Sequence, residues 1–145
     1  MKKILITGGS GFIGTNLCLE LLKKKFHITI LDKKRPFYTA ILNGKANYIK
    51  CDLRDYESVI NSVKGFDIIY HLAAEGSVVD SIRNPKNNFD NNVISTINLL
   101  EASRINGIKK IIFASTGGAL MGDTIPPVDE NSNPKPISPY GSSKL

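Results

Sequence analysis

The stretch Thr7-Gly-Gly-Ser-Gly-Phe-Ile-Gly14 constrains this chain more than any other. Before it lies the apolar run Lys2–Thr7 (KKILIT), which reads as a buried strand. After it, Gly11–Lys25 reads as a helix, with Ile13, Leu17 and Leu21 at helical spacing. Gly8, Gly11 and Gly14 stand three residues apart across the junction. In such a strand–turn–helix unit the first glycine makes the tight turn. The second lets backbone approach a pyrophosphate, and the third packs the helix close to the sheet. The first turn of that helix, with Phe12 and Ile13, presents unpaired N–H groups and a partial positive charge to the phosphates. Glycines also serve turns that bind nothing. The strand before and the helix after make this one a dinucleotide motif.

The alternation continues along the chain. His27–Asp32 (HITILD), Tyr48–Cys51, Asp67–His71 and Lys110–Ser115 read as further strands. Between them lie a helix capped by Asp55 and ending near Val63, and a long helix within Pro85–Asn106 closed by Gly107. Lys33–Asn47 reads as a loop with a short helix near Pro36–Leu42. Five of the seven prolines fall between Pro126 and Pro139, and Ser138-Pro139 starts a last helix. Near-continuous apolar strands separated by helices predict an α/β fold: a doubly wound, Rossmann-type parallel sheet of about five strands. With 145 residues and no repeat or linker, the chain reads as one NAD-binding domain over 1–145.

Composition excludes several classes. The two cysteines, Cys18 and Cys51, sit inside core elements and read as free thiols of a reducing cytoplasm. With two histidines besides, no metal site is expected. No apolar run reaches the ~20 residues of a membrane span, and Gly8-Gly9 ends the N-terminal run too soon for an export signal. The net charge of +6 is scattered lysine without interleaved aromatics. It reads as a solvated basic surface that attracts anionic ligands, not as a nucleic-acid interface.

Asp32 ends the second strand near the ~20-residue offset of an acid that binds adenosine ribose hydroxyls. A carboxylate there repels a 2′-phosphate and favours NAD over NADP. Lys33, Lys34 and Arg35 pull the other way. Asp52-Leu53 follows the third strand, where Asp can take the adenine amino group and Leu cover the ring. The rival reading of Asp52 is a helix cap. His71-Leu72-Ala73-Ala74 ends the fourth strand. The small Ala73 and Ala74 leave room for a cofactor beside the backbone, Leu72 joins them as a cofactor-binding candidate, and His71 reads as a packed core histidine.

Taken in order, TGGSGFIG, Asp32, Cys51-Asp52-Leu53, His71–Ala74, Asn92-Val93, Thr96–Ala102, Phe113–Gly122 and Tyr140-Gly-Ser-Ser-Lys144 resemble the extended short-chain dehydrogenase/reductase family, and its nucleotide-sugar epimerase branch in particular. The resemblance implies an NAD-dependent 4-epimerase acting on a nucleotide sugar, most simply a UDP-sugar. Tyr140 would take the proton of the C4 hydroxyl. A phenol ionises near pH ~10, so a nearby ammonium and a cationic nicotinamide must favour the phenolate. Lys144, one turn on, supplies that ammonium and reaches the nicotinamide ribose. Asn92 helps organise the site. By alignment on Gly122, the usual substrate-orienting Ser or Thr is replaced by Gly117. The hydroxyl then falls to Thr116, or failing it to Ser115. Met121 stands where a tyrosine is usual. Dehydratases carry Asp-Glu after the Thr. Gly117-Gly118 here favour epimerisation or simple redox chemistry.

The resemblance also implies further strands and a smaller substrate domain. The chain therefore reads as an N-terminal piece, with Tyr140 and Lys144 on an unfinished helix, poorly ordered or displaced. Two other readings stand beside this one. One is an NAD(P)-binding sensor module without catalysis. The other is a small fold that self-associates through its open sheet edge at the fifth strand.

Overall fold

A computed structural model of the chain describes residues 2–36 and 44–145. Its five-stranded sheet has the order β3-β2-β1-β4-β5, with all pairs parallel. The strands are β1 (Lys3–Thr7), β2 (His27–Asp32), β3 (Ala46–Lys50), β4 (Ile68–His71) and β5 (Lys110–Phe113). In register, Thr7 lies opposite Leu31 on one side and His71 on the other. The C-terminal ends of the three central strands therefore stop at one level. The chain order reverses between β1 and β4, and that reversal opens a crevice at those ends.

Six helices are used below: α1 (Phe12–Lys23), α2 (Tyr56–Ser62), α3 (Val78–Arg83), α4 (Pro85–Phe89), α5 (Ser95–Ile105) and α6 (Gly118–Met121). A seventh, α7, covers Pro139–Ser143. On one face of the sheet, Leu5, Leu31 and Ile69 pack with Val59 and Val63 of the α2 region and Leu99 and Ala102 of α5. On the other, Ile4, Ile6, Ile28 and Ile30 pack on Cys18 and Leu21 of α1. Burying each such side chain contributes roughly 1.5–3 kcal/mol. β1 is apolar at Ile4, Leu5 and Ile6 because both of its faces are covered.

Several expectations change. β3 begins earlier and ends one residue sooner than expected, and β5 stops at Phe113. Ile13 does not belong to the buried stripe of α1. It is 67% exposed, and the helix instead buries Gly14, Thr15, Cys18 and Leu21. The stripe is rotated because Gly14, without a side chain, takes the position against the sheet. The long helix within Pro85–Asn106 is α4 and α5 joined by a π-helical turn, Asp90–Ile94. Two short helices, α3 and α6, were not expected. Ser77 caps α3 by accepting from Asp80 N–H at 3.1 Å. The short helix expected near Pro36–Leu42 lies outside the described residues, apart from Pro36.

The glycine turn is built by close approach. Gly8 has φ +66, and a Cβ placed on it would lie 2.6 Å from the Ala73 nitrogen. A Cβ on Gly14 would lie 2.5 Å from the Gly8 carbonyl oxygen. Gly117, by contrast, faces open space. Gly14→Ala is therefore expected to destabilise the fold by about 1–3 kcal/mol. Gly117→Ala is expected to stay within about 0.5 kcal/mol of the parent. Urea unfolding measures both. Equal stability of the two variants would contradict the close packing of α1.

Candidate active site

A groove of about 210 Å³ lies across the C-terminal ends of β1 to β4. Gly8, Gly11, Asp32, Lys33, Asp52, Leu53, Leu72, Ala73 and Ala74 line it, as the sequence places them. Strand-end neighbours Leu31 and Cys51 join them, with Glu75, Asn91 and Ser95. The volume is below the ~300–1,000 Å³ of closed pockets, so a dinucleotide would lie along the groove rather than inside it. Phe12 and Ile13 begin α1, 85% and 67% exposed, and their side chains do not line the groove. The N-cap Gly11 provides no side-chain cap, so the first N–H groups of α1 stay available to an anion. Gly14 is buried beneath the turn.

Asp32 is held by the turn it faces. Its Oδ2 accepts from Ser10 N–H at 3.1 Å and its Oδ1 from Lys34 N–H at 3.0 Å. Each oxygen keeps a lone pair for a ribose hydroxyl. Lys33 reaches across the groove mouth to Asn91 Oδ1 at 3.5 Å. Asp52 is not a helix cap. That role belongs to Asp55, which accepts from Ser58 N–H at 3.3 Å. The Arg54 guanidinium grips Asp52 through Nε and Nη2, with the Nη2–Oδ2 contact at 2.6 Å, and holds its carboxyl below the usual range.

Beyond the Asp32 end of the groove, Asn92 and Glu75 form a clamp. Asn92 lies in the π turn and is 3% exposed. Its Oδ1 accepts from Glu75 N–H at 2.7 Å and its Nδ2 donates to the Glu75 carbonyl at 3.1 Å. The carboxamide thus continues the edge of β4 as a neighbouring strand would. Its Nδ2 also donates to Ser143 Oγ at 2.9 Å, on α7.

The structure does not bear out a loose or displaced α7. Ser138 caps it by accepting from Gly141 N–H at 3.0 Å. Tyr140 N–H donates to Ser81 Oγ of α3, and Ser115 Oγ donates to the Lys144 carbonyl at 2.8 Å. These tethers supply the packing that so short a helix requires. Lys144 is turned inward and is 4% exposed. Its Nζ donates to the Ala114 carbonyl at 3.0 Å and lies 4.7 Å from the centre of the Phe113 ring. Burial lowers its pKa. Ser115 has its hydroxyl committed, whereas Thr116 makes no side-chain hydrogen bond among the described residues. The tethering serines were not singled out from sequence, because a serine carries no sign of a partner 59 residues away.

His71 is buried beneath the clamp. Its Nδ1 is 2.7 Å from Thr7 Oγ1 and its Nε2 is 2.9 Å from Thr96 Oγ1. Burial, with the nearby Lys144 charge, pushes its pKa down to about 4. Among the described residues no group of three or more His, Cys, Asp or Glu could hold a metal. No helix there is long and apolar enough to cross a membrane.

The unfolded chain takes up a proton at His71 near pH 6.5, and the folded chain does so only near pH 4. Stability is therefore greatest above pH 6.5 and falls as pH drops through this window, by at most about 3 kcal/mol. Urea unfolding from pH 7.5 to 4, with NMR of the imidazole, checks this. An imidazole that protonates near pH 6.5 in the folded chain would contradict it.

The model of the NAD dependent epimerase/dehydratase family matches residues 4–145. A Methanocaldococcus jannaschii protein, provisionally named a UDP-glucose 4-epimerase, is 42% identical over 97% of this chain and 47% of its own length. The UDP-glucose 4-epimerase of Thermus thermophilus, solved in complex with NAD, superposes with a TM-score of 0.91 at 36% identity, covering 98% of this chain and 47% of that one. The UDP-Glc/GlcNAc 4-epimerase of Campylobacter jejuni gives 0.92 at 36% identity, over 99% and 46%. The chain spans about half the length of the curated relatives it matches. It belongs to the NAD-dependent epimerase/dehydratase family, whose cofactor is NAD.

Proposed function

We propose that residues 1–145 are the cofactor-binding part of an NAD-dependent nucleotide-sugar 4-epimerase, with Tyr140 as the base at the sugar C4 hydroxyl. The observation that carries this reading is the docking of the Tyr-x-x-x-Lys helix on Asn92, whose carboxamide also holds the Glu75 edge of the groove. The residues present fit NAD. Gly8 leaves no Cβ between the turn and the Ala73 backbone, and Asp32 stands at the ribose end. Ala73 and Ala74, with only methyl side chains, leave the middle of the groove open. NAD, when bound, supplies the reversible hydride exchange at C4.

The chain supplies the proton chemistry and the orientation. Tyr140 takes the hydroxyl proton and later returns it. Lys144 supplies the ammonium of the pair, a charge that little solvent screens because the side chain is buried. Thr116 orients the substrate oxygen. With Gly117-Gly118 in place of an acid pair, nothing next to Thr116 can eliminate water, which favours epimerisation. UDP-sugars are the proposed substrates, since the relatives named above act on them by name. β5 pairs only with β4 among the described residues.

Two measurements test the reading. NAD is expected to bind at least tenfold tighter than NADP, and Asp32→Asn is expected to remove most of that preference. Tighter binding of NADP by the parent chain would overturn the ribose role of Asp32. In the full-length protein, Tyr140→Phe is expected to slow interconversion of UDP-glucose and UDP-galactose by about 10²–10⁴-fold. A variant as fast as the parent would remove Tyr140 from the chemistry.

A further inference from the structure

Between the end of β1 and α7 runs a series of side chains whose protons are fixed in direction. Thr96 has one hydroxyl proton, which it donates to the Asn92 carbonyl at 2.5 Å. Its oxygen must then accept from His71 Nε2–H, at 2.9 Å. The neutral ring carries no second proton, so Nδ1 accepts from the Thr7 hydroxyl at 2.7 Å. The Thr7 oxygen in turn accepts from Ala73 N–H at 3.4 Å. On the far side of Asn92 the direction is kept. Asn92 Nδ2 donates to Ser143 Oγ, and Ser143 donates its only hydroxyl proton to the Tyr140 carbonyl at 2.8 Å. Every donor from Ala73 to Ser143 points the same way. Five of the residues in the series, Thr7, His71, Asn92, Thr96 and Ser143, are buried or half-buried.

We propose that this series, Thr7–His71–Thr96–Asn92–Ser143, is a positioning device that sets the place of the Tyr140 helix relative to the cofactor groove, with Thr96 and Ser143 as positioning residues. The functional part of this inference rests on the epimerase reading. The geometry gives three reasons. First, the series joins the two things that must be held in register: the Ala73–Glu75 floor of the groove and the backbone of Tyr140. Second, the π turn offers the Asn92 carbonyl to Thr96 while its carboxamide is fully used by Glu75 and Ser143, so Asn92 cannot turn without breaking bonds on both sides. Third, aligned hydrogen bonds in a buried, weakly screened setting polarise one another, so losing one link weakens the rest. Small displacements of a base from its reacting atom lower rate steeply.

The test uses Thr96→Val, which keeps shape and removes the hydroxyl, and Ser143→Ala, with Thr96→Ser and Ser143→Thr as conservative partners. The first readout is hydrogen exchange of the α7 amides together with the His71 Nε2–H resonance. Exchange in α7 is expected to speed about tenfold in Thr96→Val and Ser143→Ala. Amides of β1 and β2 should not change, and Thr96→Ser and Ser143→Thr should restore the parent rate. The His71 Nε2–H proton should be protected in the parent chain and exposed to exchange in Thr96→Val. The second readout, in the full-length protein with NAD, is steady-state kinetics. There kcat should fall about ten- to a hundredfold with KM within about twofold. Unchanged α7 exchange in both variants, or a parent His71 carrying its proton on Nδ1, would overturn the proposal. So would loss of exchange protection throughout the sheet with no rescue by the conservative variants, which would mark Thr96 and Ser143 as ordinary core residues. If the full-length parent does not interconvert UDP-sugars, the epimerase reading fails, and the exchange readout still decides whether the series positions α7.

Discussion

The structure depends on one close approach, that of the glycine turn to the end of β4. Gly8 sits against Ala73 at a distance that no side chain permits. Because of it, Leu72 N–H reaches the Thr7 carbonyl at 3.2 Å and Ala73 N–H reaches the Thr7 hydroxyl. The two central strands thus stay joined past their last paired residues. A Cβ at Gly8 would part them there, and the floor of the groove would open. As the first glycine of its motif, Gly8 makes the tight turn from strand to helix. Here it matters first for what it lets β1 and β4 do to each other.

Above that junction the stabilising and the specifying interactions divide. The two apolar clusters hold the sheet to α1, α2 and α5, and they are non-directional. They would tolerate α7 in several places. What fixes α7 is polar: Ser81, Asn92, Ser115 and the Ala114 carbonyl each take one of its groups. Burying so many polar groups costs free energy unless each finds a partner. Among the described residues, Asn88 Oδ1 alone of the buried side-chain polar atoms lacks one. A satisfied buried network adds little net stability but admits few geometries. Such a network fixes where α7 sits more than it adds to the stability of the fold.

What was legible in the sequence follows the same division. The strands, their parallel class and the groove residues were readable because they rest on local signals: glycine spacing, apolar runs and acids at strand ends. Gly8, Asp32, Asp52 and Ala73 fall in the groove for that reason. The π turn was not readable. A π turn shifts the helical register at Asp90–Ile94, and the apolar spacing of Pro85–Asn106 is equally compatible with an unbroken helix. Ile13 misled for a related reason. Its spacing matched a buried stripe, but Gly14 needed to be against the sheet, and that turned Ile13 outward. The state of α7 was misjudged because length alone was weighed. Its order comes from residues 29 to 59 positions away that spacing rules do not reach.

The placement of Lys144 gives the network around His71 a second consequence. The ammonium lies on the Phe113 ring, and the same ring lies 5.6 Å from the His71 imidazole. Two cations on either side of that ring, both on buried side chains, would repel each other where little solvent screens them. The site avoids this by keeping His71 neutral. Burial pushes its pKa down, and Thr7 and Thr96 together satisfy one donor and one acceptor, which is the pattern of the neutral ring and not of the imidazolium. Protonating His71 would break the bond from Thr7 and set a positive charge beside Lys144. The neutrality of His71 is thus what lets the lysine remain the local cation, and it links the electrostatics of α7 to the fold beneath it.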